Sequence, residues 1–287
     1  MNIQIMKTYN ESFLNVRSHK MEWLRVAFGP ILIWVLGVLF LAIAYGTGGY
    51  SFDVQTLMGG GGAIVETKES ALIFFANVVY QILYFVAMIS LYINGYRYAV
   101  LEEGGDSWIT LNLNMRFVKM FLYALLITLL SGAYIGIVAG IIIGVHAAVQ
   151  NVGLDVILGV IFGIFGFYLM LRIILYPVII SLDQSEPIRT SWRLMKGNIL
   201  RFIGLIFLVS LTILLIGVLG AVILGVISVL FTAISPVLGI LSLVLWVLFG
   251  LLMVVIGWAV NSKLMGLVLL ELSMDKERVA VIEEMES

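Results

Sequence analysis

The stretch from Phe202 to Ser262 contains no charged residue. About 20 apolar residues are enough to cross a hydrocarbon core about 30 Å thick. This stretch is therefore too long for one membrane span and long enough for two. The dipeptide Ser235-Pro236 lies near its middle and favours a turn. We predict two transmembrane helices here, over 202–227 and 237–262.

Four more apolar runs precede this stretch, and each has the length of a membrane span. They cover 26–46, 71–94, 120–145 and 156–177. The whole chain of 287 residues is 62% hydrophobic and 11% charged, whereas soluble domains carry about 25% charged residues. A water-soluble protein of this size could not bury so much apolar surface. The predicted fold is all-α, a polytopic membrane bundle of six transmembrane helices.

The basic residues alternate between the two ends of these spans. Apart from Lys68, every lysine and arginine lies in the N-terminal lead, in the second or fourth connection with the adjoining span ends, or in the C-terminal tail. Because cytoplasmic segments carry the excess of Lys and Arg, this distribution predicts that both termini are cytoplasmic. Only an even number of spans allows that, in agreement with six.

Three segments on the predicted cytoplasmic side show helical periodicity. They cover 3–20, 106–118 and 186–200. In the first, Met6, Tyr9 and Phe13 recur at spacings of three and four, so they share one helix face. This pattern fits either an amphipathic helix lying in the membrane plane or a short helix packed on the bundle. In the second, Asp106 is the predicted N-cap.

Each of these segments is followed by two spans. The recurring order of an in-plane amphipathic helix and a transmembrane hairpin suggests three repeated helix-plus-hairpin units.

Glycines recur every fourth residue in spans three and four. They are Gly132, Gly136, Gly140 and Gly144 in span three, and Gly159 and Gly163 in span four. Small residues at this spacing let two membrane helices approach closely. We predict that spans three and four pack tightly through them. The run Gly59–Gly62 instead predicts a flexible loop.

Two amides lie inside span two. Asn77 and Gln81 are four residues apart and so share a helix face. Such side chains either hydrogen-bond to a neighbouring helix or line a polar path.

Five basic residues are candidates for contact with lipid headgroups. They are Arg172, Arg189, Arg193, Lys196 and Arg201. Each basic residue near an anionic membrane surface contributes about 1 kcal/mol of attraction. Arg172 lies inside span four near its cytoplasmic end, where its side chain can extend toward water. It could pair with Glu102 or Glu103, or it could bind an anionic headgroup or substrate.

The same region carries a resemblance to known proteins. The residues concerned are Arg172, Tyr176-Pro177, Glu186-Pro187-Ile188, Ser191-Trp192-Arg193-Leu194-Met195-Lys196-Gly197-Asn198, Arg201 and Gly204. This pattern resembles that of six-span bacterial membrane proteins, namely the membrane domain of glycerophosphoryl diester phosphodiesterases and the YciC-like inner-membrane proteins. The resemblance implies location in the bacterial inner membrane. In those phosphodiesterases catalysis belongs to a separate soluble domain, so the resemblance implies no enzyme activity here.

Residues for catalysis or metal binding are sparse. The chain has no cysteine and two histidines, His19 and His146, which are predicted on opposite sides of the membrane. None of the predicted spans contains a carboxylate. We therefore predict no enzyme activity, no metal and no cofactor. A net charge of −1 gives no basis for nucleic-acid binding.

The sequence leaves two functional hypotheses. The first is a non-catalytic scaffold or accessory subunit that contacts anionic lipid and binds a membrane-protein partner. The alternative is a transporter or lipid-translocating protein, with a path between the repeats that Asn77, Gln81 and Arg172 would line.

Overall fold

Helices account for most of the chain. The computed structural model describes residues 3–47, 71–103 and 108–286, with residues 236–237 and 274–286 described by their backbone alone. Within these ranges the helices are α1 (Ile5–Ser18), α2 (Lys20–Thr47), α3 (Ala71–Leu101), α4 (Met115–Val149), α5 (Val152–Ile173), α6 (Tyr176–Ser181), α7 (Pro187–Leu194), α8 (Ile199–Ile234) and α9 (Pro236–Glu286).

Six helical segments are long and apolar enough to cross a membrane. They are Lys20–Thr47, Ala71–Leu101, Met115–Val149, Val152–Ser181, Ile199–Ile234 and Leu238–Ser273. The prediction of an all-α polytopic bundle with six spanning helices is confirmed. Each helical segment extends beyond the predicted span, because helical structure continues past the apolar core into amphipathic turns.

Polar side chains define the ends of the α4–α5 hairpin. The Asn114 side chain accepts a hydrogen bond from the backbone N–H of Arg116 at 3.1 Å, which caps the start of α4. Helix α4 ends at Gln150, which has a left-handed backbone. The next residue, Asn151, caps α5 by accepting hydrogen bonds from the N–H groups of Gly153 and Leu154.

The N-terminal helix packs on the last two spans. The backbone N–H of Ile3 donates to Asn198 Oδ1 at 3.4 Å, and Thr8 Oγ1 donates to Glu271 Oε1 at 2.9 Å. The Tyr9 hydroxyl lies 2.8 Å from that of Thr212. Of the two alternatives for segment 3–20, these contacts match a helix packed on the bundle.

Three aromatic side chains join α2, α3 and α9. Trp23 is 1% exposed and packs edge-on against Tyr98 and Trp258, at ring-centroid distances of 4.7 and 5.5 Å. Beside this cluster, Gly95 of α3 faces Trp258 and Ser262 of α9 so closely that a Cβ at residue 95 would lie 2.5 Å from Trp258 Cζ2. The absence of a side chain at Gly95 therefore determines how closely α3 and α9 approach.

The predicted amphipathic helix over 106–118 is wrong over residues 109–113, which are not helical, and its last residues, 115–118, form the start of α4. The predicted cap Asp106 lies outside the described residues. This segment instead crosses α2, where a Cβ on Gly29 would lie 3.1 Å from the backbone nitrogen of Thr110. Asn94 also donates to the carbonyl of Thr110. These contacts with the bundle favour a non-helical backbone, so the second predicted repeat unit lacks its amphipathic helix over the described residues.

The predicted tight glycine contact between spans three and four is also wrong. A Cβ on Gly132, Gly136, Gly140, Gly144, Gly159 or Gly163 would meet no atom within 4 Å. Helices α4 and α5 meet instead through Tyr134, whose hydroxyl donates to the carbonyl of Phe162 at 2.6 Å and whose ring lies against Gly166. The glycines of α4 lie on the other side of this helix from Tyr134, so the two glycine rows do not face each other.

Candidate functional site

Polar contacts concentrate where the C-terminal end of α3, the start of α4, and helices α6 and α7 come together. We call this region the basic end. Arg97, in the last turns of α3, donates through Nε and a terminal nitrogen to Glu103. Its other terminal nitrogen donates to the carbonyl of Ser181 at 3.0 Å and lies 3.7 Å from Asp183. One guanidinium therefore connects α3 to the end of α6.

A second arginine reaches the same carboxylate from α4. Arg116 Nε lies 2.8 Å from each carboxylate oxygen of Asp183, and its Nη2 lies 2.6 Å from Oδ2. The hydrogen bond from Arg116 lowers the pKa of Asp183, and the positive charges of Arg116, Arg97 and Lys119 add to this effect. Asp183 thus links α3, α4 and α6.

These groups surround a polar cavity of about 330 Å³. Its lining includes Asn94 and Asn112 beside Arg97, Glu103 and Arg116. Asn94 donates to the carbonyls of Val26 and Thr110, and Asn112 donates to Asn94. Since both arginines and both amides have protein partners, the cavity lining is an interconnected network that holds α2, α3 and α4 together.

Arg172, in the last turn of α5, has a different environment. It is 8% exposed, and its guanidinium stacks on Trp192 at 4.6 Å and on Tyr168 at 5.6 Å. Its Nε is buried without a hydrogen-bond partner, and no described carboxylate forms an ion pair with it. The predicted pairing with Glu102 or Glu103 is absent from the described contacts, in which Glu103 binds Arg97. The extension toward water is also wrong, because α7 covers the side chain.

One serine of α7 attaches this helix to the end of α5, where it covers Arg172. Ser191 Oγ donates to the carbonyl of Arg172 and accepts from the N–H of Leu175, both at 3.1 Å. It thereby satisfies backbone groups at the break between α5 and α6. This bond fixes α7 against the end of α5 and places the neighbouring Trp192 over Arg172.

A large apolar groove begins beside Trp192. It has a volume of about 600 Å³ and runs between α4 and α5, with α7 at one end. Apolar residues form nearly all of its walls, among them Val138, Phe162 and Ile188, and Gly159 and Gly163 form part of its floor. The glycines of α5 leave room for the groove because they carry no side chain, whereas the glycine row of α4 does not line it.

Three of the other four predicted headgroup residues lie on the surface, on α7 or in the turn that follows it. Arg189 is 80% exposed along its side chain and lies 3.1 Å from Glu186. Arg193 and Lys196 are exposed, and Arg201 is partly buried.

The amides of span two lie apart from both cavities. Asn77 donates to the carbonyl of Ile73 at 2.9 Å and to the Tyr45 hydroxyl at 3.4 Å. Gln81 is exposed. Neither residue lines the polar cavity or the groove, so the structure does not bring Asn77, Gln81 and Arg172 together in either one.

The six apolar helices define an integral, multi-pass membrane protein. Comparison with protein-family models, curated proteins and solved structures gives no match. In the part of the chain that the structure describes, no group of three or more His, Asp or Glu side chains is placed to hold a metal ion.

Sequence reasoning missed the network around Asp183. From the sequence, the positive charges of Arg97 and Arg116 predicted only which side of the membrane they occupy. No local pattern pairs either arginine with Asp183. The available signal was that all three flank predicted spans with cytoplasmic ends, where opposite charges can meet. The groove was missed because the glycine rows predicted close contact, whereas Gly159 and Gly163 border open space.

Proposed function

We propose that this protein is a non-catalytic scaffold or accessory subunit of a bacterial inner membrane that binds anionic phospholipid at its basic end. Both termini would be cytoplasmic. The distribution of Lys and Arg and the resemblance of residues 172–204 to six-span inner-membrane proteins support this orientation and location.

One observation carries the proposal. Helix α7 and the turn after it present Arg193 and Lys196 on the surface, next to the partly exposed ring of Trp192. Tryptophan is enriched where membrane meets water, and exposed basic residues there attract anionic headgroups. The combination is typical of a surface that selects anionic lipid.

The test is lipid retention. The protein is reconstituted with equal amounts of neutral and anionic phospholipid and extracted in mild detergent, and the retained lipids are counted by mass spectrometry. Replacing Arg189, Arg193 and Lys196 together with Gln removes three charges worth at most about 1 kcal/mol each. Because Arg189 is paired with Glu186 and salt screens all three, we expect roughly a tenfold loss of anionic selectivity.

A matched control is the triple replacement of Lys7, Arg17 and Lys20 with Gln. These residues are also exposed but lie on or beside α1. Selectivity should stay within about twofold of the wild type in this control. Equal selectivity in the α7 variant and the wild type would refute lipid binding at the basic end.

The accessory role requires a protein partner in the membrane. Extraction into nanodiscs together with native lipid, followed by mass spectrometry, tests this. A stoichiometric membrane protein that copurifies supports the role, and recovery of the chain with lipid alone contradicts it.

A further inference from the structure

The groove between α4 and α5 ends at Trp192, and the Trp192 ring separates it from the buried guanidinium of Arg172. We infer that it is a phospholipid-binding site, in which one acyl chain lies along the groove and Arg172 binds the phosphate. This inference rests on the proposed function and names the site and the lipid class.

The dimensions of the groove fit an acyl chain. Its wall on α4 extends from Ile127 to Ile142, which at about 1.5 Å per residue is about 22 Å. One leaflet contributes roughly 15 Å of hydrocarbon, half of the core thickness. The walls carry almost no polar groups. A polar solute in the groove would therefore lack hydrogen-bond partners.

The charge at the end of the groove selects the headgroup. A buried cation without a counter-charge is unfavourable, because its desolvation is not offset. Stacking on Trp192 occupies a face of the Arg172 guanidinium, whereas its N–H groups lie in the guanidinium plane. A phosphate oxygen accepts hydrogen bonds from such N–H groups with well-matched geometry, and Nε has no other partner among the described residues.

Access to Arg172 requires movement of one side chain. The Trp192 ring is 38% exposed and lies both in the groove wall and over the guanidinium. Rotation of this ring opens the path from the groove to Nε. Helix α7 itself stays in place, because Ser191 holds it to the end of α5.

The test is native mass spectrometry of the full chain, purified in mild detergent from membranes of phosphatidylglycerol and phosphatidylcholine. Gly163→Leu fills the groove without a clash at Cβ, since no atom lies within 4 Å of that position. Gly144→Leu is the matched control, because Gly144 has equal free space and lies outside the groove.

We expect the wild type and Gly144→Leu to retain one phospholipid and Gly163→Leu to lose it at least tenfold. Arg172→Gln should retain lipid but lose its preference for phosphatidylglycerol. Equal retention in Gly163→Leu and Gly144→Leu would overturn the inference, as would a second copy of the chain bound in place of lipid. If Gly163→Leu does not fold, Ala139→Phe fills the groove from its other wall and is judged by the same outcomes.

These variants separate the two proposals. If the groove variants lose no lipid while the triple α7 variant loses anionic selectivity, the inference fails and the proposed function stands. If the triple α7 variant keeps its selectivity, the proposed function fails, whatever the groove variants show.

Discussion

Replacing Gly95 with Ala tests whether close packing of α3 on α9 stabilises the bundle. The new Cβ would lie 2.5 Å from Trp258 Cζ2 and 2.7 Å from Ser262 Oγ, whereas carbon atoms pack best at about 3.5–4.0 Å. Trp258 cannot easily retreat, because Trp23 packs against its ring.

Overpacking in a rigid site costs about 3 kcal/mol, and Ala gains about 1 kcal/mol over Gly in a helix. We therefore expect Gly95→Ala to lower the free energy of unfolding by about 2 kcal/mol. The measurement is SDS-induced unfolding in mixed micelles, followed by far-ultraviolet circular dichroism.

Gly257→Ala is the control on the facing helix. A Cβ there meets no atom within 4 Å, so this change should leave stability equal or raise it by up to about 1 kcal/mol. In the Trp258→Phe background the penalty at Gly95 should shrink, which a double-mutant cycle measures as coupling. Equal unfolding energies for Gly95→Ala and Gly257→Ala would refute the packing argument.

Two further changes test other parts of the bundle. The pKa of Asp183 is lowered in the folded state, so its contribution is present above the unfolded pKa of about 3.9 and is lost as pH falls through the folded value. Asp183→Asn should cost about 1 kcal/mol at pH 7, since the carboxylate is half-exposed, and this cost should decline as the pH falls below the unfolded pKa; a pH-independent cost would contradict this. Trp23→Ala should cost about 3–5 kcal/mol in the same unfolding assay, because the side chain is 1% exposed. Trp246→Ala, at 36% exposed, should cost much less; equal losses would show that the cluster adds nothing.

The spanning helices could be predicted from the sequence because each segment that crosses lipid must itself be apolar. A run such as Phe202–Ser262 is apolar enough to span whatever its neighbours are. The amphipathic pattern of α1 was right only in part, because Tyr9 and Phe13 pack against the core whereas Met6 is 62% exposed. The buried residues of this helix are Thr8 and Ser12. For the spans, the information lies within the segment itself.

The partners of those segments could not be predicted in the same way. Gly95 and Gly132 look alike in the sequence, yet a Cβ added at Gly95 would lie 2.5 Å from an indole carbon, whereas one added at Gly132 would meet no atom within 4 Å. Residues 109–113 follow contacts with Gly29 and Asn94 rather than their own periodicity. The bond between Arg116 and Asp183 joins residues 67 positions apart, and local pattern does not specify such a pair.

The docking of α1 on the last two spans has a consequence for how the chain is made. Helix α1 leaves the ribosome before the spans, yet Ile3 and Thr8 bind Asn198 and Glu271, which are 195 and 263 residues further along. Its binding surface therefore does not exist until the last span has been inserted. Until then the apolar face of α1 must remain at the membrane surface or on a chaperone. Final closure of the bundle is thus a late step, which joins the segment around Thr8 to the helix that carries Glu271.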